Sequence, residues 1–87
     1  MITVHKYPLK LAPENVILIS RWADLLCIQH QHGELMLWAR VDTTAILVKR
    51  HILLSGTGHE APHFKQHYIA TVQDGSFVWH FFDGGEQ

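Results

Sequence analysis

The sequence predicts an all-β protein, a small antiparallel sandwich or barrel of about seven strands with β-hairpins. Three observations carry that expectation. Short apolar runs rich in β-branched and aromatic residues recur along the chain, each bounded by Gly, Pro, Asn, Asp or Ser. Two pairs of these runs flank a two-residue turn signal, His32-Gly33 and Asp74-Gly75. No segment holds apolar residues at helical spacing for more than one turn. With 87 residues, a second domain would be too small to sustain a core, so residues 1–87 read as one β domain.

Each element has its own justification. Ile2 to Pro8 is β-branched or aromatic at several positions, and Pro8 and Pro13 exclude a regular helix, so an edge strand and then a turn are expected. Val16-Ile17-Leu18-Ile19 is a short continuous apolar run and reads as a buried strand. Ser20 to Asp24 has one turn's worth of helical spacing and is assigned a loop or a single helical turn. Leu26 to Gln31 and Leu35 to Val41 flank His32-Gly33, where glycine suits a positive φ, and form a hairpin. Asp42 to Thr44 is a turn. Ala45 to Leu54 alternates Ile46, Val48, Arg50 and Ile52 with Leu47, Lys49, His51 and Leu53, the period of a strand. Ser55 to Pro62 contains two glycines and a proline and is the longest irregular segment. Tyr68 to Gln73 and Ser76 to Phe82 make a second hairpin about Asp74-Gly75, and residues 83–87 form a frayed tail. Trp38, Phe77 and Trp79 lie on the two hairpins and are assigned to packing.

Charge and cysteine content exclude several classes of function. Seven Lys and Arg against eight Asp and Glu give a net charge of −1, so the positive field needed for non-specific nucleic-acid binding is missing. No apolar run approaches the roughly 20 residues of a membrane helix. Cys27 sits in the apolar run Leu25 to Ile28 and reads as a small buried hydrophobe. One cysteine permits no internal disulfide, consistent with a reducing cytosol. Eight histidines would make the chain strongly cationic between about pH 7 and 5.

Four constellations carry candidate chemistry. Gly56-Thr57-Gly58-His59 follows a strand, so its backbone amides, the Thr57 hydroxyl and His59 are candidate donors to a phosphate; a simple tight turn accounts for the same residues. It lacks the third glycine and the Lys-Ser/Thr pair of the nucleotide fingerprints. His59, His63 and His67 recur every four residues, but Pro62 excludes the helix that would stack them and no cysteine or paired carboxylate completes a ligand set, so no metal is assigned. Ser55, His59 and Asp42 or Glu60 supply the residue types of a catalytic triad without any nucleophile elbow, and the chain is expected not to be an enzyme and to carry no cofactor. Lys49-Arg50-His51 sends Lys49 and His51 to one face of a strand and Arg50 to the other.

The opening Val4-His5-Lys6-Tyr7-Pro8, the middle Leu35-Met36-Leu37-Trp38-Ala39-Arg40-Val41-Asp42, the loop Gly56-Thr57-Gly58-His59 and the closing Tyr68 to Gln73 with Val78 to Phe82 resemble a family of short phage and prophage β proteins of unassigned function. The chain departs from that pattern at Ser20 to Asp24 and at Arg40. The resemblance implies a viral accessory protein in the host bacterial cytoplasm that acts against host defence. The resulting expectation is a non-enzymatic binding protein that sequesters its target, foremost a nucleotide signalling molecule. Gly56, Thr57, Gly58, His59, Lys49 and Arg50 would hold phosphate, and Trp38 or Tyr68 would stack the base. The alternative is a protein–protein inhibitor of a defence complex or nuclease. A small core and open strand edges add the expectation of a homodimer or higher homo-oligomer.

Overall fold

Alternation of apolar and polar residues, with glycine placed where the chain must reverse, gives seven antiparallel strands in the computed structural model, which describes Met1–Gln87. They are β1 (Ile2–Pro8), β2 (Glu14–Ser20), β3 (Asp24–Gln31), β4 (Glu34–Asp42), β5 (Leu47–Gly56), β6 (His67–Asp74) and β7 (Phe77–Glu86). One sheet has the order β1-β4-β3 and the other β2-β5-β7-β6. The all-β sandwich expected from the sequence is therefore the observed architecture.

Strand parity decides what fills the space between the sheets. On β4, Leu35, Leu37, Ala39 and Val41 are buried in the core, whereas Arg40 and Asp42 are exposed. Ile17 and Ile19 of β2, Ile28 of β3, Ile52 of β5, Val72 of β6 and Phe81 of β7 complete the same cluster from the other strands. Ile19, Leu37, Ile52 and Phe81 are wholly buried. Each such side chain stabilises the fold by about 1.5–3 kcal/mol relative to exposure.

The turns follow their residues. Gln31 pairs with Glu34, leaving His32 (φ 51°) and Gly33 (φ 79°) as the central pair, both left-handed as a type I′ turn requires. In the second hairpin Asp74 pairs with Phe77, so the central residues are Gly75 and Ser76 rather than Asp74 and Gly75. Gly75 has φ 61°, and glycine in the first central position is the pattern of a II′ turn.

Other expectations are corrected. Val16 to Ile19 is not buried on both faces: β2 is a sheet edge, and Val16 and Leu18 are exposed while Ile17 and Ile19 are buried. Ser20 to Asp24, by contrast, takes the first of its two expected forms, a loop without a helical turn, in which Arg21 and Trp22 reverse the chain and the Ala23 amide donates to Ser20 O at 3.2 Å. The strand expected over Ala45 to Leu54 runs from Leu47 to Gly56, which removes Ser55 and Gly56 from the irregular segment. Cys27 is half-buried rather than buried. Residues 83–87 are not a frayed tail. Asp83 to Glu86 continue β7, and the Gln87 amide donates to Lys49 O at 2.8 Å.

Candidate functional site

The strand β5 ends in a turn whose geometry its two glycines set. The His59 amide donates to Gly56 O at 3.0 Å, and Gly58, third of the four residues, has φ 83°. A positive φ at that position is the requirement of a type II turn. The Thr57 amide donates to Val78 O at 3.3 Å, tying the turn to β7. The amides of Thr57 and His59 are thus engaged within the protein, and the loop does not present a run of free amides.

What the turn does is fold the His59 ring back over the strand end. A Cβ on Gly56 would lie 3.0 Å from His59 Nδ1 and 3.2 Å from Trp79 Cζ3. Glycine lets the imidazole and the indole close together on the main chain. Phe77 stacks on Trp79 with centroids 5.7 Å apart and planes 19° from parallel, and Phe77 remains exposed. Two clefts flank His59, sharing Gly56, His59 and Trp79. One, of about 300 Å³, is completed by Leu11, Pro13 and Glu60; the other, of about 320 Å³, by Thr57, Ser76 and Phe77. The carboxylate of Glu60 disfavours an anion in the first, whereas hydroxyls line the second. Trp79 Nε1 is buried without a hydrogen-bond partner.

A chain of polar side chains crosses the sheet beside this turn. Thr57 Oγ1 bonds His80 Nε2 at 2.6 Å, His80 Nδ1 bonds Thr71 Oγ1 at 3.0 Å, and Thr71 Oγ1 bonds the Tyr68 hydroxyl at 2.8 Å. A neutral imidazole donates from one nitrogen and accepts at the other, so His80 orients both threonine hydroxyls. Tyr68 packs edge-on against Phe82, with centroids 6.0 Å apart, and is exposed.

The structure therefore brings Gly56, Thr57, Gly58 and His59 together, links Tyr68 to Thr57 only through Thr71 and His80, and separates the remaining candidates. Arg50 is a correction. Its guanidinium is buried, bonds both Asp83 oxygens, and also donates to Ala23 O at 3.1 Å and to Glu86 at 3.3 Å, so it has no role in gripping an outside phosphate. Lys49 is exposed on the same strand as the glycine turn but seven residues from Gly56, about 23 Å at roughly 3.3 Å per residue, and does not sit beside the turn. Trp38 shares the parity of Arg40 and Asp42 on β4, which places it on the outer face of the other sheet; it cannot stack a ligand held at the turn.

His59, His63 and His67 do not converge, and no group of three His, Cys, Asp or Glu side chains could hold a metal ion. The Ser55 hydroxyl donates to Glu60 O at 2.8 Å rather than to an imidazole. Phe77, Thr71 and His80 were not singled out from the sequence as site residues. Their signal is parity and register: Thr71 pairs with His80, and Phe77 and Trp79 share one face of β7.

A family model described as a domain of unknown function, DUF7352, matches residues 1–87. No curated protein and no solved structure matches the chain.

Proposed function

We propose that this chain, which belongs to the DUF7352 family of domains of unknown function, is a non-enzymatic phage accessory protein that counters bacterial immunity by sequestering a nucleotide signalling molecule in the host cytoplasm. The observation that supports the reading is the juxtaposition of His59 and the half-buried Trp79 across the backbone of Gly56, with the exposed Phe77 stacked on the indole. A flat base would lie against Phe77, where base–aromatic stacking contributes about 1–3 kcal/mol. The Thr57 and Ser76 hydroxyls and His59 would face the phosphate from the second cleft. Its volume suits a small ligand. Stoichiometric capture needs no nucleophile or base. The test is native mass spectrometry of the purified protein after incubation with lysate of defence-active bacteria. A retained mass of nucleotide size supports capture.

The second reading is a protein–protein inhibitor of a defence complex or nuclease. Phe64, fully exposed in the 57–66 loop, favours it, because an aromatic anchor of this kind contributes most when it enters a partner's pocket. Retention of a host protein in the same experiment, lost in Phe64→Ala, would select this reading.

A further inference from the structure

Each sheet has two edges, and three of the four carry a feature that opposes strand addition. On β1, Lys6 is exposed and Pro8 ends the strand. On β3 a bulge interrupts the register between Leu25 and Cys27, and on β6 another lies between Tyr68 and Ala70. Lysine, proline and bulges are the means by which proteins blunt sheet edges. The fourth edge, β2, has none of them. Its pairing with β5 is uninterrupted from Glu14 to Ser20, and no charged residue or proline lies between Asn15 and Ser20.

The backbone of that edge has a defined parity. Leu54 N donates to Pro13 O and Arg21 N donates to Ile46 O, so the odd-numbered residues of β2 bond toward β5. By the alternation of an antiparallel ladder, the N–H and C=O groups of Val16 and Leu18 then face outward. We propose that β2 is the self-association edge, pairing antiparallel with β2 of a second copy about a two-fold axis at Ile17.

In that register the free groups of Val16 meet those of Leu18 in the other copy, and the reverse holds by symmetry. The exposed Val16 and Leu18 side chains become apolar cross-strand pairs. Ile17 faces its own copy and carries the core across the junction. The same axis brings Glu14 at one end of the strand near Arg21 at the other, an opposite-charge match that a parallel pairing would not make. The result is one continuous eight-stranded sheet, an isologous dimer in which both copies use the same patch. The inference does not rest on the ligand reading.

The experiment combines sedimentation equilibrium with hydrogen exchange on the full chain. The expected result is a wild-type dimer in which protection of the Val16 and Leu18 amides rises with protein concentration. Leu18→Lys, at a half-exposed position, should remain folded by thermal melt and dissociate at least about tenfold more readily. Val4→Lys on β1 should leave the dimer intact. A wild-type chain that stays monomeric, or a dimer that leaves those two amides unprotected at every concentration, overturns the proposal. Should Leu18→Lys fail to fold, the wild-type exchange result decides alone.

Discussion

Arg50 on β5 holds Asp83 on β7 through two parallel hydrogen bonds, Nε to Oδ1 at 2.9 Å and Nη2 to Oδ2 at 2.6 Å, with both side chains largely buried. The same guanidinium reaches Glu86 and the carbonyl of Ala23. One cation thereby anchors the C-terminal strand and the turn between β2 and β3. Removing either partner leaves a buried charge uncompensated. Asp83→Asn or Arg50→Met is expected to destabilise the protein by about 3 kcal/mol, measured by urea denaturation. Arg50→Lys should rescue only part of this loss, since an ammonium cannot reproduce the bidentate geometry.

The same pair predicts an acid response. Burial alone would push the Asp83 carboxyl up, but hydrogen bonds from Arg50 and from the Gly85 amide, with the Arg50 charge, outweigh it and hold Asp83 below the ordinary carboxylate range. Its contribution is full above the unfolded value of about pH 4 and is lost as pH falls through the depressed folded value. His51 behaves in the opposite sense. Hydrogen bonding of its Nδ1 to the Glu14 carboxylate raises its pKa, so its contribution is full below about pH 6.5 and is lost as pH rises through the folded value. Thermal melts across pH should show Asp83→Asn flattening the acid limb and His51→Gln flattening the alkaline one.

The two loop glycines should differ in what they disturb. Gly58 has a left-handed backbone and nothing near its missing Cβ, so Gly58→Ala is expected to cost about 1–2 kcal/mol of stability while leaving the clefts in shape. Gly56 is not left-handed, yet a Cβ there would crowd His59 and Trp79. Gly56→Val should displace both rings and change tryptophan fluorescence along with ligand retention. Melts and fluorescence spectra on the same samples separate the two effects.

Trp22 carries a left-handed backbone at φ 62° on a residue that is 81% exposed, with Arg21 over its ring at 5.7 Å. The strain of an L residue there is about 1–2 kcal/mol, more than an exposed cation–π contact of about 0.5–1 kcal/mol returns. Trp22→Gly is therefore expected to leave stability within about 0.5 kcal/mol of wild type, the strain relieved being offset by the lost contact and the glycine's extra unfolded-state entropy. A urea midpoint lowered by more than that would contradict this balance.

What was legible in the sequence is what local chemistry dictates. His32-Gly33 announces its hairpin because few residue pairs accept two positive φ angles. The parity of Val48, Arg50 and Ile52 already placed Arg50 on an apolar face. What sequence could not show is the partner: Asp83 lies 33 residues away in a glycine-rich end that resembles a frayed tail. Val16 to Ile19 has no alternation, so nothing local distinguishes a central strand from an edge. Residue type alone leaves Trp38 open to both packing and base stacking, whereas its parity with Arg40 and Asp42 puts it on the opposite face from the core. The site at Gly56 was legible as a turn, whereas the approach of His59 and Trp79 depends on the pairing of β5 with β7.

The most direct test compares wild type, His59→Ala and Phe77→Ala by native mass spectrometry after incubation with the low-molecular-mass fraction of a lysate from phage-infected, defence-active bacteria. Nucleotide capture at this turn predicts a nucleotide-sized mass retained by wild type and lost or much reduced in both variants, with all three equally folded by thermal melt. A wild-type protein that retains nothing, or variants that retain the same mass at the same level, would contradict it.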